Sequence, residues 1–284
     1  MKRSDDIRSS SLDISDAEML QLATSVSELV SEYFATVSTL PVFPETSGGD
    51  ASRELGTDLP VEPQSIEQLL QDCRTILKHS RHNGHPRFFG YVASPATAPG
   101  AFADLIASAV NVNVTSWRSG PAATEVERAV IRWLGSLIGY ADNSHGLLTS
   151  GGSMANLTAL LIAHRAKSET DVAGKGVTSA QALMTIYASD QIHMSIPKAA
   201  DILGLGREQV RIVDSDKNYR LDPRRLRERI EADRQHGLRP FCVIASSGTV
   251  NTGAIDPLNE VADIAKEFDL WFHVDGAYGA LGAL

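Results

Sequence analysis

Cysteine is scarce: Cys73 and Cys242 are the only two in 284 residues. Two thiols are too few for a disulfide framework, so the composition suits a reducing compartment, and the cytoplasm is the expected location. Basic charge is also in deficit, with 26 Lys and Arg against 35 Asp and Glu and a formal net charge of −9. That balance argues against a nucleic-acid partner, because phosphate backbones select a basic field. No stretch approaches the roughly 18 uninterrupted apolar residues of a spanning helix. The N-terminus, MKRSDDIRSSSLDISDAEML, carries early positive charge without the apolar run of a signal peptide. Neither a membrane nor an export signal is therefore expected. Internal repeats and extended low-complexity tracts are missing too. What is present, 43% hydrophobic and 21% charged residues, describes a soluble globular protein long enough for a substantial core.

The chain changes texture along its length. Residues 1 to 12, dominated by Ser, Asp and Arg, are expected to be disordered. A helix follows, with Ser15 or Asp16 as its cap and Met19, Leu22, Val26, Leu29, Val30 and Phe34 at helical spacing. Residues 41 to 63 read as a linker rich in Pro, Gly and Ser. A second helix over Ser65–His79 closes an N-terminal arm of residues 1–84. From His85 to Leu284 short apolar runs alternate with amphipathic segments, the pattern of an α/β domain. Strands are predicted at Leu147–Thr149, Leu183–Ala188, Val210–Val213, Phe241–Ala245 and Leu270–Val274. Helices are predicted at Ala122–Leu137, Met154–Lys167, Ser195–Leu203, Pro223–Gln235 and Pro257–Phe268. The five arginines from Arg224 to Arg234 invite a nucleic-acid reading, but Glu228, Glu231 and Asp233 interrupt them and favour a solvated face.

Three stretches carry chemistry. In LLTSGGSMANLTALLIAHRAK a strand runs into Gly151 and Gly152, then Ser153, and a helix opens with Met154, Leu157, Leu160 and Leu161 on one stripe. Glycines admit close approach of a ligand, and a helix N-terminus presents unpaired N–H groups with a positive dipole end, so a phosphate suits the spot. The plainer alternative is a helix cap by Ser150 or Ser153. A P-loop is ruled out because no G-K-[ST] follows, and GLGREQV at 204 lacks the third glycine of a dinucleotide fingerprint. GGSMA is one residue short of a nucleophile elbow, and no histidine follows Asp275 to complete a hydrolase triad in that order. Asp275, in HVDGAYGA, ends an apolar strand, where open α/β sheets bind ligands. Its carboxylate can cap the loop, bind a metal with His273, or pair with a cationic cofactor atom. Metal is the weakest of these, since two ligands make a poor site. His193, in SDQIHMSIPKAADILGLG, also follows a strand, so His193, Ser153 and Asp275 are expected on one rim of the sheet.

With these motifs the sequence resembles the group II pyridoxal-phosphate-dependent amino-acid decarboxylases, which include aromatic-amino-acid, glutamate and diaminobutyrate decarboxylases. The likeness runs over residues 85–284 through HPRFFGYVAS, NVNVTSWRSGPAATEVERAVIRWL, TSGGSMANL, DQIHMSIPKAADILGLG, SSGTVNTGAIDPL and HVDGAYGA. It implies the large domain of a fold-type-I transferase-like enzyme, α/β with a mostly parallel sheet flanked by helices, preceded by the helical arm. It further implies that Gly152 and Ser153 hold the phosphate of pyridoxal 5′-phosphate, that His193 stacks on the pyridine ring, that Asp275 pairs with the ring nitrogen, and that Ala277 packs against the ring. Ser94 falls where relatives place a hydroxyl near the substrate carboxylate. Val250 stands where several relatives carry the second Thr of a G-T-T motif. A carboxylate beside the ring nitrogen favours its protonated form, which accepts the electrons left when an amino acid loses CO2.

The resemblance implies carboxy-lyase activity on a small-molecule L-amino acid and a tight homodimer built through the arm. It also implies a lysine that holds the cofactor as a Schiff base, some tens of residues beyond HVD. The last lysine here is Lys266, ahead of that motif, and Lys198, nearest to His193, lacks the family's lysine context. The expectation is therefore a truncated product without its small domain. The alternative is a catalytically silent cofactor-binding or interaction protein of the same fold.

Overall fold

The structure is a computed structural model that describes residues 14–56, 58–59, 61–62, 64–92, 94–179 and 182–283. The expectation for residues 1 to 12 lies outside them. The described residues fall into two compact units, divided between Asn111 and Val112.

In the first unit, α1 spans Asp16–Thr36. Ser15 accepts the Glu18 amide while the Glu18 carboxylate returns to the Ser15 amide, so two otherwise unpaired donors are satisfied reciprocally. The stretch expected to be a linker holds a helix, α2 (Gly48–Leu55), closed by the same device between Ser47 and Asp50. Its glycines and serines thus start a helix instead of forming a loop. The predicted second helix is α3 (Ile66–Lys78), capped by Ser65. Helix α4 (Ala98–Val110) has Thr97 as its cap and a proline in its first turn, and it ends at Asn111 in the left-handed region. The sequence reading assigned no helix there.

The second unit begins with α5 (Pro121–Leu137) and α6 (Gly152–Lys167), followed by a single turn, α7 (Val172–Lys175). Strands and helices then alternate: β1 (Met184–Ser189), α8 (Ser195–Ile202), β2 (Val210–Val213), α9 (Pro223–Gln235), β3 (Arg239–Ser246), α10 (Leu258–Glu267) and β4 (Trp271–Asp275). These four strands pair in parallel in the order β2-β1-β3-β4, so the chain turns back across β1 on its way to β3. In open α/β sheets ligands bind outside the carboxyl ends of the strands at such a reversal.

Alternation along each strand divides the core. Ile186, Ala188, Cys242 and Ile244 face α6 and α8, where Leu160, Ile196 and Ala199 meet them. Tyr187, Val243 and Ala245 face α9 and α10, where Leu226, Ile230, Val261 and Ile264 close the opposite layer. Burying each Leu, Ile or Val is worth about 1.5–3 kcal/mol, so covering both faces is what stabilises a parallel sheet.

Two sequence expectations need correction here. Leu147–Thr149 is not a strand: no neighbour pairs with it among the described residues, Leu147 and Leu148 are exposed, and the Leu148 amide donates to the Glu127 side chain. The α6 stripe is also rotated, because the buried residues are Asn156, Leu160, Ala163 and His164 while Met154 is exposed. On α9 all five arginines have partners: Arg224 with Glu228, Arg225 with Asp214, Arg227 with Glu267, Arg229 with Asp233, and Arg234 with the Phe268 carbonyl. They form a paired, largely exposed face.

Candidate active site

The start of α6 settles the question of its cap. Gly151 occupies the cap position at φ 146°, in the region that favours glycine, and no side chain bonds the first helical amides. Ser150 and Ser153 do not cap; Thr149 donates its hydroxyl to the Gly151 carbonyl instead. The first N–H groups of a 16-residue helix are thus left pointing outward beside the exposed Ser153 hydroxyl. A Cβ on Gly152 would lie 3.1 Å from the Ala277 methyl, which brings the phosphate-type turn against the loop that follows β4.

Asp275 ends β4 beside Ser246 of β3, on the carboxyl rim. One carboxylate oxygen accepts the Ala277 amide at 3.1 Å, so the loop-capping role is real. The other accepts the Asn156 side-chain amide at 3.0 Å. A carboxylate has about four acceptor positions, so Asp275 keeps capacity for a further, cationic partner. His273, two residues back and on the same face, bonds Asn156 Oδ1 through Nε2 at 2.8 Å. Burial holds the His273 imidazole below its ordinary pKa, and the nearby Asp275 charge opposes this only in part. Asn156 therefore stands between the two groups weighed as metal ligands and engages Nε2 of His273. Among the described residues no group of three or more His, Cys, Asp or Glu is gathered for a metal ion.

His193 lies in the loop after β1, exposed, and its Nδ1 sits 2.9 Å from the Ser195 hydroxyl and 3.2 Å from the Ser195 amide. Ser195 is buried at the head of α8, where its hydroxyl accepts a second Asn156 amide proton at 3.0 Å. A continuous chain of contacts thus joins His193, Ser195, Asn156 and Asp275. Sequence reasoning placed the two ends and missed both links. Ser94 belongs to the first unit, exposed in the segment before α4. Val250 is exposed, next to the buried Thr249, whose hydroxyl lies 2.7 Å from that of Thr252.

Comparison with known proteins decides the family. The model of the pyridoxal-dependent decarboxylase conserved domain matches residues 49–283. The chain belongs to this family. A curated relative, the aromatic-L-amino-acid decarboxylase of Bacillus atrophaeus, is 37% identical over 274 residues, covering 96% of this chain and 55% of its own length. Among solved structures, mouse CSAD superposes with a TM-score of 0.86 at 30% identity, covering 94% of this chain and 56% of that one. The Oryza sativa TDC structure with PLP and tryptamine gives 0.83 at 28%, covering 92% and 55%. The chain spans about half the length of the curated relatives it matches. Its fold is that of the fold-type-I decarboxylase large domain, a parallel sheet flanked by helices, as the resemblance implied.

Proposed function

We propose that this chain carries the cofactor-binding half of a pyridoxal 5′-phosphate-dependent carboxy-lyase acting on an L-amino acid. The observation that carries this reading is the nearness of Asp275 to the uncapped head of α6: the carboxylate is held by Asn156 and the Ala277 amide, and the Ala277 methyl lies 3.1 Å from where a Cβ on Gly152 would be. A ligand with a phosphate at one end and a cationic ring nitrogen at the other fits that pairing of an anion site and a carboxylate. Gly152 and Ser153 would hold the phosphate through free amides, the hydroxyl and the helix dipole. Asp275 would hold the ring nitrogen, with His193 against the ring and Ala277 beneath it. When bound, the cofactor supplies the electron sink that decarboxylation requires. Ser94 is assigned to the substrate carboxylate on the resemblance alone.

The same reading includes a homodimer and a cytoplasmic location. Helices α4 and α5 bury no residue and expose Phe102, Leu105, Ile106, Val126, Trp133 and Leu137, apolar area of the kind interfaces cover. Both cysteines are free thiols. No helix among the described residues is long and apolar enough to cross a membrane.

Spectroscopic titration of the 284-residue chain with pyridoxal phosphate tests the assignment. Saturable binding is expected, weakened roughly tenfold, about 1.4 kcal/mol, in Asp275→Asn. Unchanged affinity with a lowered melting temperature would leave Asp275 as a loop cap only.

A further inference from the structure

The hydrogen-bond pattern around His193 defines where its proton sits. An amide N–H can only donate, and the Ser195 amide points at His193 Nδ1 from 3.2 Å. Nδ1 therefore presents its lone pair, and the ring proton resides on Nε2. The Ser195 hydroxyl reaches the same atom at 2.9 Å, so it too donates there. What orients that hydroxyl is Asn156, whose amide N–H approaches Ser195 Oγ at 3.0 Å and occupies one of its lone pairs.

The orientation of the Asn156 amide is itself dictated. Its NH2 group faces the Asp275 carboxylate, which has no proton to give, at 3.0 Å. Rotating the amide by half a turn would set oxygen against oxygen. With the NH2 so placed, Asn156 Oδ1 faces His273 and must receive the Nε2 proton of that ring. The charge at Asp275 thus fixes Asn156, Asn156 fixes the Ser195 hydroxyl, and Ser195 fixes the His193 tautomer. Asn156 and Ser195 are 4% and 2% exposed, so solvent does not compete for these bonds.

We propose that Asn156 and Ser195 are positioning residues that lock His193 with Nδ1 as acceptor and the proton on Nε2, so that the exposed edge of the ring presents an N–H donor to whatever occupies the site. The purpose assigned to that donor rests on the cofactor reading above; the tautomer itself does not. A group held at an active site by two donors on one nitrogen keeps both its ring plane and its proton in register with the reacting atoms. The same chain ties the residue under the phosphate-type turn to the far side of the site, because Asn156 projects from α6, the helix whose N-terminus bears Gly152.

The test is nitrogen-15 NMR of the full chain labelled at histidine, without added cofactor. The wild type is expected to show His193 with an acceptor-type Nδ1 and a protonated Nε2, and His273 with a protonated Nε2. In Ser195→Ala the hydroxyl donor is lost and the 3.2 Å amide contact alone holds Nδ1 as acceptor, so a minor Nδ1–H tautomer is expected to appear beside the major form. Ser195→Thr keeps the hydroxyl and should restore the single form. Titration with pyridoxal phosphate is then run on the wild-type sample. A wild-type spectrum with the proton on His193 Nδ1 would overturn the proposal, and that measurement needs no variant to fold. A Ser195→Ala spectrum identical to the wild type would overturn the role of Ser195. Failure of the wild type to bind pyridoxal phosphate would instead defeat the cofactor reading, so the two failures are separable.

Discussion

Asn156 is a polar side chain on the inward stripe of α6, four and seven residues before the buried Leu160 and Ala163. It binds Ser195, Asp275 and His273 at once. Replacing it by Leu, which keeps the branched framework of four side-chain heavy atoms, leaves the His273 Nε2–H and one Asp275 contact without partners. A buried group stripped of its partner costs about 1–3 kcal/mol, so Asn156→Leu should lower the urea midpoint by a corresponding amount; a loss under about 0.5 kcal/mol, the ordinary range for surface changes, would mean that the amide is not holding these groups. The candidate site was legible where residue chemistry is unusual for its local setting: glycines before a helix, a carboxylate ending an apolar strand, a histidine after another. Asn156 was not read because its role depends on the phase of the helical stripe. That phase was set by counting apolar residues, which put Met154 inward, although it is exposed. An asparagine on the true stripe would have been the signal.

The strands are tied to the loops beyond them by one buried carboxylate. Asp256 accepts the Ser246 amide at the end of β3 and the Leu221 amide ahead of α9, both at 2.7 Å, while its own amide donates to the Ser246 carbonyl at 3.0 Å. It is 3% exposed, and burial pushes its pKa above the ordinary 3.8 despite the two donated N–H bonds. Asp256→Ala removes both acceptors and is expected to destabilise the second unit by about 3 kcal/mol, since bonds to an ionisable group contribute roughly 1.5–3 kcal/mol each and part of the loss is offset by relaxation. Chemical denaturation with unchanged slope would check it. At this scale most of the second unit was legible. Val210–Val213 and Pro223–Gln235 match their predicted bounds because a short apolar run and an Asp-Pro start are local signals. Leu147–Thr149 failed because a strand is defined by its neighbour and not by its own residues. Residues 48–55 failed because Gly and Ser signal helix starts as well as linkers, and the Ser47 and Asp50 pair three residues apart was the feature that distinguishes them.

Across the whole molecule, buried histidines set the response to acid. Burial is the main cause holding His82 in the first unit and His164 and His273 in the second below 6.5, with the neighbouring charges of His85 and Arg165 adding to it at the first two. The unfolded chain therefore takes up protons first as the pH falls, and the folded state loses ground. For a group depressed in this way, stability is fully present above about 6.5 and is lost as the pH falls through the folded-state value. Asp256 runs the other way: its raised pKa gives a contribution that is complete below 3.8 and lost as the pH rises through the folded-state value. Both signs must be separated by a variant. His164 is 3% exposed and packs against Phe241 at 5.8 Å between ring centroids, so His164→Leu keeps an apolar neighbour while removing one proton-binding site. Each histidine steepens the stability curve by at most about 1.4 kcal/mol per pH unit. The melting temperature should therefore fall between roughly pH 7.5 and 5.5 in the wild type, and fall less steeply in His164→Leu. A wild-type melting temperature that stays flat over that interval, or a variant with an unchanged slope, would show that these imidazoles protonate in the folded state as readily as in the unfolded chain.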